Sequence, residues 1–170
     1  MDSIGLYAFS ISDPRPVSER IRMAAADYDP SFPPEKALPY KTSSGKPMFS
    51  DNRLHLSISH SGSWWLLGFC PQNLGIDLQE TRPMRYEALS RRFFHPEETA
   101  RLASQQYAGF YQVWTAKESY VKWTGTGIDQ HFADFSVFSL PVCFQEVPFQ
   151  SGYVLTVCTQ QHLKPLLKYF

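Results

Sequence analysis

The sequence predicts one α+β unit, on the evidence of its length, its composition and the order of its strand and helix patterns. Its 170 residues are 43% hydrophobic and 15% aromatic, which excludes a disordered chain and allows a substantial core. Strand patterns come first, helix patterns follow, and strand patterns return near the end. Segregation of this kind is typical of α+β proteins.

The first elements are a strand over residues 6–11 and a short helix over residues 18–27, with Ser18 as the expected N-cap. Five prolines then fall within residues 29–47. Because proline removes a backbone donor and fixes φ, we expect a surface loop there that contributes nothing to the core.

Three strand patterns follow, over residues 54–60, 64–69 and 74–79, separated by short turns. Connections this short cannot make crossovers, so the spacing predicts an antiparallel meander. Helix patterns then cover residues 86–94, a segment that begins at His95, and residues 107–123. Two glycines mark the end of the last of these helices. Residues 135–140 and 153–158 again have strand character.

Charge and compartment signals narrow the class of protein. The 16 basic and 16 acidic side chains balance, so no global field attracts nucleic acid or a membrane, and neither is an expected partner. The apolar run over residues 64–70 is too short to cross a bilayer, and no signal peptide is visible. Three widely spaced cysteines fit neither a disulfide framework nor a zinc site. We therefore expect reduced thiols and a cytoplasmic protein.

Two polar groups of residues are candidates for chemistry. Asp77 and Gln79 leave the same face of a predicted strand, and their oxygens are ligands that a hard cation accepts, although Asp77 could simply cap the next turn. Glu118 and Lys122 share one face of the long helix, with Lys117 beside them. An ordinary solvated ion pair has this spacing too, but the aromatic surroundings favour a cleft.

Ser59 and His60 form a third candidate pair. Adjacent strand residues point to opposite faces, and no nucleophile elbow surrounds them, so a hydrolase triad is disfavoured. His60 is better suited to binding an anion, and an ordinary structural histidine remains the alternative. The glycines at 125 and 127 follow a helix, so they predict a C-cap and not a phosphate-binding P-loop.

Together these segments resemble a known family. The runs are Gly45-Lys46-Pro47, Leu56-Ser57-Ile58-Ser59-His60-Ser61, Leu74-Gly75-Ile76-Asp77-Leu78-Gln79 and Trp114-Thr115-Ala116-Lys117-Glu118-Ser119-Tyr120-Val121-Lys122. In this order they resemble the 4′-phosphopantetheinyl transferases of the surfactin-synthetase-activating type, over about residues 45–138, and the last run is the most specific.

The resemblance implies a fold and a reaction. The fold is a pseudo-dimer of two similar α/β halves, here residues 1–72 and 73–170, with the active site in the cleft between them. The reaction is Mg²⁺-dependent transfer of phosphopantetheine from coenzyme A to a serine of an apo acyl or peptidyl carrier protein, releasing 3′,5′-ADP. Mn²⁺ is an alternative metal, and a monomer is expected.

The resemblance also implies roles for individual residues. Asp77 and Glu118 hold the metal, with Gln79 a weaker third ligand, and Glu118 or a metal-bound water activates the serine. Lys122 stabilises or protonates the leaving group. The remaining coenzyme A contacts are Lys46, Ser59, His60 and Lys117.

Two departures from the family's pattern bear on ligand binding. Gln79 stands where the family usually has Glu, so the metal site lacks one charge. The first half is short of the basic helical stretch found in longer members, which leaves Arg20, Arg22, Lys36 and Lys41 as the cations before Gly45. We expect weaker metal and nucleotide binding as a result.

A carrier-docking surface is expected on the segment from Arg82 to Arg101, which has a local basic excess with Met84, Phe93 and Phe94 interleaved. Arg85, Arg91 and Arg92 are its predicted contacts, because carrier proteins of this family are acidic. The alternative is a solvated helix face with both phenylalanines in the core. For the whole chain, the alternatives are a non-catalytic relative that binds a carrier or coenzyme A, and an unrelated metal-dependent hydrolase.

Overall fold

The computed structural model describes residues 3–127 and 132–170. The strands in these ranges are β1 (Ser3–Ser10), β2 (Tyr40–Lys41), β3 (Pro47–Met48), β4 (His55–Ser61), β5 (Trp64–Cys70), β6 (Leu74–Glu80), β7 (Cys143–Glu146), β8 (Tyr153–Thr159) and β9 (Lys164–Tyr169). The helices are α1 (Val17–Tyr28), α2 (Tyr86–Phe93), α3 (Pro96–Ser104) and α4 (Phe110–Thr124), with a 3₁₀ turn at Pro34–Lys36. The predicted α+β class is confirmed.

The first sheet has the order β4-β5-β1-β9, in which β1 pairs with β5 antiparallel and with β9 parallel. The alternating side chains of β1 divide between two cores. Tyr7 and Phe9 pack with α1 and the proline-rich segment. Ile4 and Leu6 face the second sheet. Strand β1 is therefore buried on both faces, and that accounts for its nearly continuous apolar sequence.

The second sheet has the order β6-β8-β7, and helix α4 packs across its face. The close approach depends on Gly75, where a Cβ atom would lie 1.9 Å from the Ser119 carbonyl oxygen and 2.5 Å from the Trp123 nitrogen. Since both of those atoms are backbone, no side chain could move aside to admit a larger residue. The face of β6 that carries Gly75 and Asp77 therefore lies against α4.

Serine hydroxyls join the two sheets where no backbone ladder does. Ser57, Ser59 and Ser61 accept hydrogen bonds at 3.0, 3.0 and 2.9 Å from the backbone amides of Ile76, Leu78 and Glu80, respectively. The predicted three-strand meander is therefore wrong for its third strand, because β6 pairs with β8. The polar face of β4 lies between the sheets, and Ser57 and Ser59 are buried there.

Other predicted elements differ from the structure. Helix α1 begins at Val17 with Pro16 as N-cap and no side-chain capping bond, so Ser18 is not the cap. Residues 135–140 form turns and no strand. The proline-rich segment is not wholly superficial, because Phe32 and Ala37 are buried in the first core. Strands β7 and β9 were not predicted, since they are short or have no clean alternation.

The chain crosses from the first sheet to the second at residues 71–73, where the two halves were expected to meet. Strand β9 returns to pair with β1, so the last segment of the second predicted half belongs to the first sheet. The division at 72/73 and the pseudo-dimer remain predictions. Cys70, Cys143 and Cys158 are free thiols, and no helix in the described ranges has the length and apolar character to span a bilayer.

Candidate active site

A compact hydrogen-bonded triangle lies where β4, β6 and α4 meet. The Lys122 ammonium donates to Asp77 Oδ1 at 2.7 Å and to Ser59 Oγ at 3.0 Å. Ser59 in turn donates to Asp77 Oδ1 at 3.0 Å and accepts from the Leu78 amide. This uses the one proton and both lone pairs of the serine hydroxyl, so Ser59 fixes the positions of its neighbours.

The triangle includes one buried carboxyl group, that of Asp77, and a second, that of Glu118, lies beside it. Burial raises the pKa of Asp77, against the opposing effects of Lys122 and Ser59, and its Oδ2 is buried with no hydrogen-bond partner. Burial, reinforced by the Asp77 charge, raises the pKa of Glu118 to about 7. Such groups are costly to leave without a partner and are typical of functional sites.

The two carboxyl groups fit the metal that the resemblance implies. The orphaned Oδ2 of Asp77 offers a free oxygen, and a shared divalent cation would offset both the burial and the Asp77 charge that raise the pKa of Glu118. Mg²⁺ commonly takes only one or two carboxylates from the protein, with the rest of its ligands from water and phosphate. No cluster of three or more acidic, histidine or cysteine ligands occurs in the described part of the chain, so Asp77 and Glu118 would hold it as a pair.

A cavity of about 240 Å³ opens beside Glu118 and Lys122. Its walls combine apolar side chains with a polar end. The lining residues are Ser44, Gly45, Lys46, Pro47, Leu56, Ser57, Ile58, Glu118, Val121, Lys122, Gly125 and Gly127. Glu118 and Lys122 thus lie on one wall, as the helical spacing predicts, and the Gly45-Lys46-Pro47 turn forms another.

Lys46 lines this cavity, but its ammonium is engaged. It donates to Asn73 Oδ1 at 2.6 Å and to the Trp123 carbonyl oxygen at 2.7 Å, and Asn73 also donates to that carbonyl. Burial lowers the pKa of Lys46 to about 8. Lys46 and Asn73 thus cap the last turn of α4, which carries Lys122.

Lys117 does not reach the cavity, and its predicted phosphate contact is wrong. The side chain is fully buried, and its ammonium donates to Glu98 Oε2 at 2.9 Å and to the Phe135 carbonyl oxygen at 2.6 Å. Successive helix residues are about 100° apart, so Lys117 points to the α3 side while Glu118 points to β6. Glu118 and Lys122 share one helix face, as predicted, and Lys117 lies on another.

Gln79 and His60 are at the margin of the site. Gln79 is half-buried, and its amide makes a long 3.4 Å bond to the Glu80 carbonyl oxygen. Glu80 points to the opposite face of β6 from Asp77 and accepts a hydrogen bond from Arg82 at 2.8 Å. His60 is exposed on the face of β4 opposite Ser59, as predicted from strand alternation. Its positive charge, when present, favours ionised Asp77.

The predicted docking residues lie on and beside α2. Arg85 and Arg91 line an open groove of about 640 Å³ with Tyr86 and Tyr107. Arg92 is exposed, with its guanidinium 4.9 Å from the Phe93 ring centroid. Phe94 is buried and Phe93 is partly buried, so the surface here is more polar than the interleaved sequence indicates. The expected nucleotide contact Arg20 is also buried, where it donates to backbone carbonyls of Asp13 and Arg15.

Three contributors to the site were missed from sequence. Ser57 and Asn73 support β6 and α4, and Glu98 accepts hydrogen bonds from Lys117, the His95 amide and the Val137 amide. Of these three residues, only Ser57 could have been identified from the sequence, because it belongs to the alternating repeat of Ser57, Ser59 and Ser61. Asn73 and Glu98 act through tertiary contacts that no local sequence pattern predicts.

Comparison with known proteins is consistent with this site. Residues 73–164 match the model of the 4′-phosphopantetheinyl transferase superfamily, and this segment includes Asp77, Glu118 and Lys122. The chain is 38% identical over 98 residues to the 4′-phosphopantetheinyl transferase Sfp of Bacillus subtilis (strain 168), covering 55% of this chain and 43% of that protein.

Two further relatives match over a longer segment. The chain is 30% identical over 146 residues to the 4′-phosphopantetheinyl transferase gsp of Aneurinibacillus migulanus, covering 76% of this chain and 61% of that protein. It is 28% identical over 150 residues to the 4′-phosphopantetheinyl transferase psf-1 of Bacillus pumilus, covering 77% and 64%. The chain thus spans less than two thirds of the length of these relatives. With the family model matched over more than half of its residues, the chain belongs to the 4′-phosphopantetheinyl transferase superfamily.

Proposed function

We propose that the protein is a phosphopantetheinyl transferase that moves the 4′-phosphopantetheine group of coenzyme A to a serine hydroxyl of an apo acyl or peptidyl carrier protein. The observation that carries the proposal is that Asp77, Glu118 and Lys122 lie together, from segments that also match the family, beside a cavity that Glu118 and Lys122 line. The reaction releases 3′,5′-ADP and uses Mg²⁺ or Mn²⁺.

The residues at the cavity suit phosphoryl transfer. A bound divalent cation would neutralise charge on the pyrophosphate oxygens, and Asp77 and Glu118 would hold it there. Lys122 is the cation beside the carboxyl groups and would stabilise the charge that develops on the departing nucleotide. Glu118, or a water bound to the cation, would accept the proton of the serine hydroxyl.

The other predicted contacts divide by position. Lys46 lines the cavity and would act mainly by holding the end of α4, and His60 would meet an anionic part of coenzyme A from the exposed face of β4. Ser59 would orient Asp77 and Lys122, since its hydroxyl is fully used between them. Gln79 would be a neutral third ligand or none.

Intact mass spectrometry tests the proposal. The chain is incubated with coenzyme A, Mg²⁺ and apo carrier proteins from fatty-acid, polyketide and peptide synthesis. We expect one carrier to gain the mass of phosphopantetheine, with loss of that gain in Glu118→Ala and its retention in Glu146→Ala, a matched change at an exposed glutamate of β7. No gain with any carrier would contradict the proposal.

The carrier would dock on the basic surface formed by Arg85, Arg91 and Arg92. An acidic partner is complementary to these exposed guanidinium groups, of which Arg91 also pairs with Glu87 in the wall of the adjoining groove. We expect Arg91→Glu to raise the carrier KM about tenfold and to leave the coenzyme A KM unchanged. Lys164→Glu on β9 is the control, and an unchanged carrier KM in Arg91→Glu would remove this surface from the proposal.

A non-catalytic relative that binds coenzyme A or a carrier is the second candidate. The observation that favours it is Gln79, which leaves the metal site with two carboxylates. Calorimetry with coenzyme A and with the apo carriers separates the two functions, because binding without any mass gain would favour the second. The hydrolase alternative has little support, since Ser59 is engaged with Asp77 and His60 lies on the opposite strand face.

A further inference from the structure

We propose that Lys122 is the resident counter-ion of Asp77, which a divalent cation must displace, so that the free chain binds metal weakly until a phosphate ligand draws the ammonium away. The inference deepens the proposed function and rests on it for the identity of the metal and the phosphate ligand. Its test uses neither coenzyme A nor a carrier protein, so the two can fail separately.

The first argument is the geometry of the ion pair. Lys122 Nζ lies 2.7 Å from Asp77 Oδ1, and the Asp77 side chain is only 8% exposed. A cation bound at this carboxylate would lie next to the ammonium. Because like charges in a partly buried site repel strongly, the two cannot both occupy it without a large cost.

The second argument is the charge balance of the site. Asp77 and Glu118 contribute two negative charges at most, Lys122 offsets one, and Gln79 contributes none. A divalent cation therefore meets a site with little net charge unless Lys122 moves or a ligand adds anions.

The third argument is that the Lys122 side chain has room to move into the cavity. Its side chain is 30% exposed and lines the cavity, whereas the carboxylate it binds is buried. A long flexible side chain can swing toward a phosphate in the cavity without disturbing α4. Phosphates in the cavity would then attract both Lys122 and the metal, which couples metal binding to ligand binding.

Direct metal titration tests the inference. Mn²⁺ affinity is measured by calorimetry for the wild type, Lys122→Met, Lys122→Arg and Lys164→Met, which removes an exposed lysine of β9. We expect Lys122→Met to bind Mn²⁺ about tenfold or more tightly, since the competing cation is gone. Lys122→Arg and Lys164→Met should remain within about twofold of the wild type. Equal or weaker binding by folded Lys122→Met would overturn the inference.

A second measurement covers the case in which Lys122→Met does not fold. The ¹⁵N-labelled ammonium signal of Lys122 is assigned in the wild type by its loss in Lys122→Arg. We expect titration with Mg²⁺ to shift that signal toward the position of a solvated lysine, with the Lys164 signal unmoved. A Lys122 signal that stays in place at saturating Mg²⁺ would show that the metal does not displace the ammonium.

Discussion

Lys117 and Glu98 form an ion pair in which neither side chain has any solvent exposure, with Lys117 Nζ 2.9 Å from Glu98 Oε2. Glu98 also accepts from the His95 and Val137 amides, and Lys117 donates to the Phe135 carbonyl oxygen. One buried pair thus joins the start of α3, the middle of α4 and the turns after residue 132. Lys117, the residue beside Glu118, therefore stabilises the position of α4 and does not face the candidate active site.

Breaking this pair should be costly. We expect Lys117→Met to lower the free energy of unfolding by about 3–5 kcal/mol, because it leaves a buried carboxylate without its cation. Urea denaturation measures the change. The control is Arg91→Ala at the exposed pair with Glu87, where a loss below about 1 kcal/mol is expected. Similar losses of unfolding free energy in the two variants would show that the buried Lys117–Glu98 pair contributes no more to stability than the exposed Arg91–Glu87 pair.

The hydrogen bonds by which Ser57, Ser59 and Ser61 join the two sheets give a second prediction. Ser57→Ala leaves the buried Ile76 amide without its acceptor and should cost about 1–3 kcal/mol of unfolding free energy. Ser61 is less buried, so Ser61→Ala should cost less because water can replace its hydroxyl. Denaturant titration and the exchange rate of the Ile76 amide measure both effects. An equal cost at the two positions would contradict the bridging role.

Stability should vary with pH through Glu118. Its pKa is raised from 4.5 to about 7, so the folded state holds a proton that the unfolded state loses. The stabilising contribution is complete below pH 4.5, falls as the pH rises, and is gone above about pH 7; it amounts to roughly 3 kcal/mol at most. Glu118→Gln should flatten this fall in unfolding curves recorded between pH 4.5 and 8. A wild type and a variant with parallel profiles would exclude Glu118 as the source.

The metal site should respond to restoring its missing charge. Gln79 lies on the α4 side of β6 with Asp77, and Gln79→Glu places a third carboxylate there. We expect tighter Mg²⁺ binding, by about tenfold, in a direct titration without substrate. Gln145→Glu on β7 is the matched control and should leave the affinity unchanged. An unchanged or weaker affinity in Gln79→Glu would show that residue 79 is not a ligand position.

The sequence alone predicted most of the residues of the candidate site. Strand alternation put Asp77 and Gln79 on one face and separated Ser59 from His60, and helical spacing put Glu118 and Lys122 together. These are local relationships, in which the backbone period fixes the direction of each side chain. The motif order also led to the family, which the comparison confirmed.

Only the tertiary structure decided how those faces are used. Sequence distance favoured pairing β6 with β5, but β6 pairs with β8, and three serine hydroxyls fill the gap to β4. Lys117 turned away from the cavity because Glu98 offers it a buried partner. Strand partners and ion pairs between distant segments depend on which surfaces meet after packing, and no local period encodes that. Asp77, Glu118 and Lys122 were predicted from the sequence, and tertiary packing brings them together.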